Sequence, residues 1–204
     1  MLNVIIALLP AFVAAIVIFG LRALTLTVIC CTACVLFEWL FCLITKRENT
    51  ISDLSAIVTG MLLAFNLPSG LPYWIAIVGC FAAIVVVKQL FGGIGQNLVN
   101  PAVTARIFLF IAFATEMTTW PTARGAGVDA VTSATPLGEL GMGGPEAVTA
   151  SNMDLFLGNV GGCIGEVSAL ALLIGGIFLI CSHVITWHIP VSFVVPVAVI
   201  SFIF

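Results

Sequence analysis

The chain has 204 residues, of which 62% are hydrophobic and only 7% are charged, with a mean hydropathy of +1.29. This composition lies far from that of a soluble domain, so lipid is expected to be the main solvent. Six Lys/Arg and nine Asp/Glu residues give a net charge of −3 without a basic cluster, which excludes a nucleic-acid-binding protein that contacts phosphates.

Seven cysteines lie in or beside apolar stretches and not in polar loops. We therefore interpret them as small packing residues. Cys30, Cys31 and Cys34 could share a helix, but iron–sulfur clusters usually take four ligands. His183 and His188 lie near the end of an apolar segment and are interpreted as interfacial residues. No metal site is predicted.

The chain begins with two long apolar segments, at residues 2–21 and 23–44. Each is long enough to cross a bilayer, because about 20 helical residues span a hydrocarbon core of roughly 30 Å. The first segment lacks a charged leader and a cleavage site, so it is predicted to be a true span and not a signal peptide. Since the apolar sequence starts at Met1 and stops at Phe204 without polar flanks, we expect the natural protein to extend beyond one or both ends.

Shorter apolar segments, separated by helix-breaking residues, follow a polar loop at 45–50. Interrupted helices of this kind place polar backbone at membrane depth, where it lines a cavity or is buried in protein. In chain order they are a half-length segment at 53–67 that ends in Asn66-Leu67-Pro68, a span at 72–88, a glycine-rich stretch at 91–97, and a short run at 102–114 after Asn100-Pro101.

Residues 115–162 form the only extended polar region and are predicted to be a loop outside the membrane, where chemistry in water takes place. Apolar sequence returns at 164–187, and the run at 190–204 is predicted to begin another span. We divide the chain into a first membrane bundle (1–114), this polar loop (115–162) and the start of a second bundle (163–204). About seven membrane segments are expected.

The distribution of positive charge predicts an orientation. With an odd number of crossings between them, Lys46, Arg47 and Lys88 fall on the side opposite to the polar loop. The positive-inside rule makes that first side cytoplasmic, so the polar loop is predicted to be extracytoplasmic. Arg22 and Arg124 oppose this assignment, and the bias is therefore modest.

A short internal echo predicts inverted repeats, because the pattern of residues 53–57 recurs at residues 166–170 and three segments separate the two copies. The expected fold is therefore an all-α integral membrane protein, a multi-span helical bundle with interrupted helices and inverted repeats. Asp53 and Glu166 begin the two copies. They are candidates for an ion path, and the alternative is that they cap helices at the interface.

One stretch of the polar loop carries a recognisable motif. Thr132-Ser133-Ala134-Thr135, with Asp129 upstream, resembles the Ser/Thr-x-Ala-Thr flavinylation motif shared by the D-type subunit of Rnf complexes and the B-type subunit of the sodium-translocating NADH:quinone reductase. The resemblance extends over nearly the whole chain and is clearest at 91–97, 100–101 and 161–166. One departure is Ser133, a position where many members have glycine.

This resemblance implies that Thr135 carries FMN through a phosphoester bond. The neighbours Ser133 and Ala134 are small enough to let a transferase approach, and Pro136 favours an extended conformation that presents the threonine side chain. Asp129 either orients a hydroxyl or is read by the transferase. No residue is predicted to be catalytic in its own right, because the flavin supplies the electron chemistry.

The resemblance also suggests a second, noncovalent flavin, with riboflavin as the candidate, held by Gln96, Asn97 and Asn100 beside the glycine-rich stretch. The alternative is that the glycines serve close helix packing. A dinucleotide-binding loop is not indicated, because no strand precedes these glycines and their spacing differs from the dinucleotide-binding pattern.

By resemblance, the chain is a membrane subunit of a ferredoxin:NAD oxidoreductase complex that couples electron transfer to Na⁺ or H⁺ transport in a bacterial or archaeal cytoplasmic membrane. The implied partners are other Rnf subunits, including membrane subunits and a second flavoprotein, and a flavin transferase for maturation. Three alternatives stay open: the B-type subunit of the quinone reductase, a permease without redox function, and a purely structural membrane subunit.

Overall fold

The computed structural model describes residues 1–46, 51–121, 135–143, 151–166 and 168–203. Throughout these ranges the regular structure is mainly helical, and an isolated antiparallel bridge joins Pro68 and Cys163. The helices are α1 (Leu2–Phe19), α2 (Leu21–Thr45), α3 (Ser55–Phe65), α4 (Tyr73–Phe81), α5 (Pro101–Ala112), α6 (Ala114–Met117), α7 (Pro136–Gly143), α8 (Asn152–Leu157), α9 (Ala169–Cys181) and α10 (His188–Ile203). A 3₁₀ turn, Ile51–Asp53, precedes α3, and a π-helical segment, Ala82–Gln89, continues α4.

The first two spans lie close to their predicted positions and are joined at a single residue. Gly20 has a φ of 75°, a conformation that only glycine adopts at little cost, and it ends α1 and begins α2 at once. The chain therefore reverses between two membrane helices without a loop.

The core is built around α2, which packs against α1, α3, α4 and the π-helical segment. Close approach depends on small residues, as is usual where helices associate in lipid. A Cβ at Gly60 of α3 would lie 2.8 Å from the Cα of Cys31 in α2. The interface between α2 and α3 therefore brings the two backbones almost into contact.

The outer surface of the bundle is apolar. Val17, Ile44 and Ile111 are each more than 70% exposed, which suits side chains that face acyl chains. Among the described residues, α1 and α2 are long and apolar enough to cross a membrane, and shorter apolar helices include α3, α5, α9 and α10.

The apolar segments at 53–67 and 164–187 are helical over shorter lengths than predicted. The run at 164–187 is helical only over α9, because residues 163–165 pair with the end of α3 before the helix begins. The final helix, α10, begins at His188, two residues before its predicted start. His183, in the connection between α9 and α10, and His188 are both exposed.

Lys88 and the beginning of the polar loop lie at opposite ends of one span. A Cβ at Gly70, just before α4, would lie 2.9 Å from Pro121, whereas Lys88 is near the far end of the continuous helix that α4 and the π-helical segment form. Arg22 is at the Gly70 end, where its guanidinium donates to the Gly70 carbonyl over 3.0 Å. The geometry agrees with the predicted separation of Lys88 from the polar loop.

Candidate functional site

Thr135 lies immediately before α7 and caps it. Its Oγ1 accepts a hydrogen bond from the Gly138 N–H at 3.2 Å, and its carbonyl accepts from the Glu139 N–H at 2.9 Å. Pro136 occupies the first helical position, where its missing N–H has no cost. The side chain is half-buried, so the hydroxyl is held at the positive end of a helix and is still within reach of solvent.

The other residues of the predicted flavinylation motif lie outside the described residues; they are Asp129, Thr132, Ser133 and Ala134. Their assigned roles stay predictions. A phosphoester on Thr135 would place its phosphate at a helix N-terminus, where backbone N–H groups and the helix dipole favour an anion.

The break predicted at Asn66-Leu67-Pro68 pairs with the backbone of residues 163–165. The Ile164 N–H donates to the Leu67 carbonyl at 3.1 Å, and the Gly165 N–H donates to the Phe65 carbonyl at 2.9 Å. A Cβ at Gly165 would lie 2.5 Å from the Cβ of Phe65. Glycine is therefore required at this crossing, where the two backbones satisfy each other's polar groups inside the protein.

Arg106 of α5 bridges the two segments that cross here through hydrogen bonds to both. One guanidinium nitrogen donates to Asn66 Oδ1 at 3.2 Å and the other to Cys163 Sγ at 3.5 Å. The same side chain pairs with Glu166 at 3.6 Å, and the Glu166 side chain is more than half exposed. Glu166 thus has a positively charged neighbour at this end of the bundle.

Asp53 and Glu166 are not brought together. Asp53 ends the 3₁₀ turn just before α3, whereas Glu166 follows the residues that pair with the last turn of α3. The 11 residues of α3 separate the two carboxylates by roughly 16 Å at 1.5 Å of rise per residue. Any ion path that uses both residues has to run past this helix.

A charged pair that was given no functional role from the sequence lies in the core. Lys88 Nζ donates to both carboxylate oxygens of Glu38, at 2.9 and 2.8 Å, and to Ser55 Oγ at 2.6 Å. Gln89 Nε2 donates to Glu38 Oε1 at 3.0 Å. Lys88 is 1% exposed and Glu38 is 0% exposed, so α2, α3 and the π-helical segment enclose these side chains.

The π-helical geometry explains how two consecutive residues reach one carboxylate. The Leu90 N–H bonds to the Val85 carbonyl, five residues earlier, at 3.1 Å. A helix with this wider turn places successive side chains at a smaller angle than an α-helix does. Lys88 and Gln89 can therefore both face Glu38 on α2.

One feature of the sequence indicates that Glu38 needs a partner inside the protein. A carboxylate in the middle of a membrane span costs several kcal/mol unless it finds a partner, and Glu38 lies within α2. The partner could not be read from the sequence, because Lys88 is 50 residues away and reaches Glu38 through a helix register that composition does not encode.

A cavity of about 150 Å³ adjoins the pair and is lined by residues that include Ser55, Thr59, Lys88, Asn97 and Asn100. Two of the three residues proposed for a second flavin, Asn97 and Asn100, therefore line the same cavity. Its volume is about half the lower limit of roughly 300 Å³ for small-molecule sites. The second-flavin site stays a prediction.

The polar groups of the predicted second-flavin residues make contacts within the chain. Asn100 Oδ1 accepts from the Ala102 N–H at 3.0 Å and so caps α5. With its amide nitrogen facing the carbonyls, Asn97 donates to Lys88 O at 3.2 Å and to Gly93 O at 3.0 Å. A Cβ at Gly92 would overlap Gln96 Oε1.

Apolar helices, interrupted elements that cross inside the protein and a fully buried ion pair are typical of a multi-span helical membrane protein. The chain belongs to the NQR2, RnfD, RnfE family, whose model matches residues 1–204. Both the all-α membrane fold and the family resemblance predicted from the sequence are thereby confirmed.

Individual relatives agree with this family. The chain is 49% identical to the D-type subunit of the Na⁺-translocating ferredoxin:NAD⁺ oxidoreductase complex of Acetobacterium woodii, over 98% of this chain and 63% of the relative. It is 37% identical to the proton-translocating counterpart of Clostridium ljungdahlii, over 100% of this chain and 64% of the relative. It is also 39% identical to the B-type subunit of the Na⁺-translocating NADH-quinone reductase of Klebsiella pneumoniae, over 75% and 38% respectively. The chain thus spans less than two thirds of these relatives' length.

Proposed function

We propose that this chain is part of the flavin-bearing D-type subunit of an Rnf complex, which couples electron transfer between ferredoxin and NAD to ion transport. The observation that carries the proposal is the 49% identity to a D-type subunit over 98% of this chain. The position of Thr135 supports it, because the motif threonine is a half-exposed helix cap and not a core residue.

The B-type subunit of the quinone reductase is the second candidate, since it shares the family. Its similarity covers 75% of this chain at 39% identity, less than that of the D-type relative. The two functions differ in the electron acceptor and the neighbouring subunits. Affinity purification of the tagged full-length protein from its native host, followed by mass spectrometry, tests the choice: Rnf partners support the proposal, and quinone reductase partners contradict it.

Thr135 provides the attachment atom in the proposed maturation. A flavin transferase would join Thr135 Oγ1 to the flavin phosphorus while the bond from that phosphorus to the leaving group of an activated flavin donor breaks. The hydroxyl proton passes to a base of the transferase. The Gly138 N–H and the positive end of α7 favour the resulting phosphodiester, and attached FMN supplies one-electron chemistry.

The proposed coupling uses Na⁺ or H⁺, and the two D-type relatives carry names with different ions. Asp53 and Glu166 are the proposed ion-path residues. Because neither belongs to the flavinylation motif, neutralising either one should lower ion transport without lowering flavin attachment. Full coupled transport in both Asp53→Asn and Glu166→Gln vesicles would reduce these residues to interfacial caps.

Flavin fluorescence of the denatured protein on a gel tests the central site. After coexpression with the flavin transferase, we expect a fluorescent band for the parent chain and none for Thr135→Ala. Thr135→Asn is the sharper variant, because Asn is an equally good N-cap but has no hydroxyl to esterify. It should keep the helix cap and lose the flavin.

Thr132→Ala is the matched control, since it removes a hydroxyl of the same motif but not the proposed attachment atom. Its band should persist, with lower intensity if the transferase reads this residue. A fluorescent Thr135→Asn band at normal protein levels would show that Thr135 is not the attachment site, and Thr132 or Ser133 would become the candidate.

A further inference from the structure

Both ends of the polar loop contact one short turn of the bundle. This anchor turn, residues 66–72, joins α3 to α4. Near the start of the polar loop, Pro121 lies against Gly70, since a Cβ at Gly70 would be 2.9 Å from the proline ring. Just after the end of the polar loop, Cys163 pairs with Pro68 in the antiparallel bridge. The anchor turn therefore joins two segments that lie on either side of α7 and α8 in the sequence.

The anchor turn is buried, although it is not helical. Leu67, Ser69 and Leu71 are each at most 3% exposed. Buried backbone groups outside a helix need hydrogen-bond partners from other parts of the protein. The shape of the anchor turn therefore depends on the segments that supply these partners.

The segment after the polar loop supplies partners at the first end of the anchor turn. The Cys163 thiol donates to the Asn66 carbonyl over 3.5 Å, and the Ile164 N–H donates to the Leu67 carbonyl over 3.1 Å. Arg106 donates to the Asn66 side chain over 3.2 Å. The residues that follow the polar loop are thus bonded directly to the turn.

Arg22 of α2 supplies the partner at the second end. Its guanidinium donates to the Gly70 carbonyl over 3.0 Å and lies 5.9 Å from the centroid of the Tyr73 ring at the start of α4. Pro121 lies against the same glycine. Arg22 therefore holds the part of the anchor turn on which the start of the polar loop packs.

We propose that the anchor turn is a common support for both ends of the polar loop, and that Arg22 is a positioning residue that fixes this support and, through it, the flavin on Thr135. The statement about the flavin rests on the proposed function. Arg22 acts through the turn and not by contact with the flavin. Because both ends share one buried turn, a disturbance at one end reaches the other through contiguous hydrogen bonds.

Hydrogen exchange at Ile164 and Gly165 tests the common support without reference to the flavin. Their N–H groups donate to carbonyls of the anchor turn and of the last residue of α3. Gly70→Ala disturbs the other end of the turn, because its methyl group would lie 2.9 Å from Pro121. In the purified intact complex we expect exchange at both amides to rise roughly tenfold. Unchanged exchange would overturn the proposal.

Gly175→Ala is the matched control for this substitution. It introduces a clash of the same kind, between α9 and α1, and changes none of the contacts of the anchor turn described above. Exchange at Ile164 and Gly165 should match that of the parent. An equal rise in Gly175→Ala and Gly70→Ala would show that exchange follows general destabilisation and would contradict the common support.

Arg22 variants remove the support without adding a clash. Arg22→Met loses the hydrogen bond to Gly70, so exchange at Ile164 and Gly165 should rise roughly fivefold. Arg22→Lys keeps a cationic donor and should return the exchange to the parental rate. Unchanged exchange in Arg22→Met, or an equal rise in Arg22→Lys, would reject Arg22 as a positioning residue. This pair decides the proposal if Gly70→Ala does not assemble.

Turnover of the same complexes tests the position of the flavin. Parent and Arg22→Met should show equal covalent flavin on a denaturing gel, because Thr135 is unchanged. Arg22→Met should slow ferredoxin-dependent NAD reduction roughly tenfold, since a small misplacement of a reacting group costs rate steeply, and Arg22→Lys should restore it. Equal turnover in Arg22→Met and the parent would overturn the positioning of the flavin. A parent without covalent flavin would contradict the proposed function, and exchange at the two amides would still decide the common support.

Discussion

At the scale of single residues, the buried ion pair of Lys88 and Glu38 carries a large desolvation cost. Removing two ions from water costs several kcal/mol each, and their attraction offsets this only with excellent geometry. Here the ammonium has three acceptors within 2.9 Å, two from Glu38 and one from Ser55. Removing one partner should therefore lower the stability of the protein much more than removing both.

The first prediction concerns this asymmetry. Lys88→Met removes the ammonium that donates to both carboxylate oxygens of buried Glu38, so we expect a loss of about 3–5 kcal/mol of stability. Thermal denaturation of the purified full-length protein, followed through the fluorescence of its tryptophans, measures the loss. Glu38→Leu combined with Lys88→Met should restore most of the stability. A double variant no more stable than Lys88→Met would contradict the account.

For Thr135, the presented hydroxyl could be predicted from the sequence, but the helix that it caps could not. Its motif and the Pro136 that follows predicted a presented hydroxyl, and the structure places that hydroxyl at the start of a helix. The helix itself, α7, was not predicted, because residues 136–143 include three glycines and one proline. Its sequence carries a good N-cap but little helix propensity.

At the scale of helices, close packing between α1 and α9 depends on one of two adjacent glycines. A Cβ at Gly175 would overlap the Ala7 carbonyl, whereas a Cβ at Gly176 would meet nothing within 4 Å. The two positions are adjacent in sequence and lie in the same helix. They therefore separate the effect of packing from the effect of helix propensity.

We predict that Gly175→Ala destabilises the bundle by about 1–3 kcal/mol, because α9 has to move away from α1. Gly176→Ala should be neutral or stabilising by up to about 1 kcal/mol, since alanine favours a helix over glycine. Denaturation midpoints of the two purified variants give the comparison. Equal destabilisation by both substitutions would show that this helix contact does not control stability.

Helix ends were predictable where local chemistry defines them. Gly20 divides α1 from α2, and Asn100-Pro101 caps α5. The π-helical register had no comparable signal, because it results from the contacts of Lys88 and Gln89 with a distant helix. The short length of α9 likewise follows from pairing with residues 65–67, a long-range contact that apolar composition does not reveal.

At the scale of the whole chain, the polar groups divide between the two ends of the bundle. Arg22, Arg106 and Glu166 lie at the end where the polar loop begins. Lys88 lies towards the opposite end but is buried against Glu38, so it does not present its charge to an aqueous phase. The positive-inside argument therefore depends on Lys46 and Arg47 more than the sequence suggested.

The last prediction tests the membrane orientation with exposed positions at the two ends. Lys46 and Glu116 are both exposed, and they are separated by the spans between α2 and the polar loop. With the positive charge of residues 46–47 in the cytoplasm, Glu116→Cys should react with a membrane-impermeant maleimide added to intact cells, and Lys46→Cys should react only after permeabilisation. Peptide mass spectrometry distinguishes these thiols from exposed Cys181. The reverse pattern would place the polar loop and Thr135 in the cytoplasm, because the number of crossings fixes their relation to Lys46 whichever way the bundle is inserted.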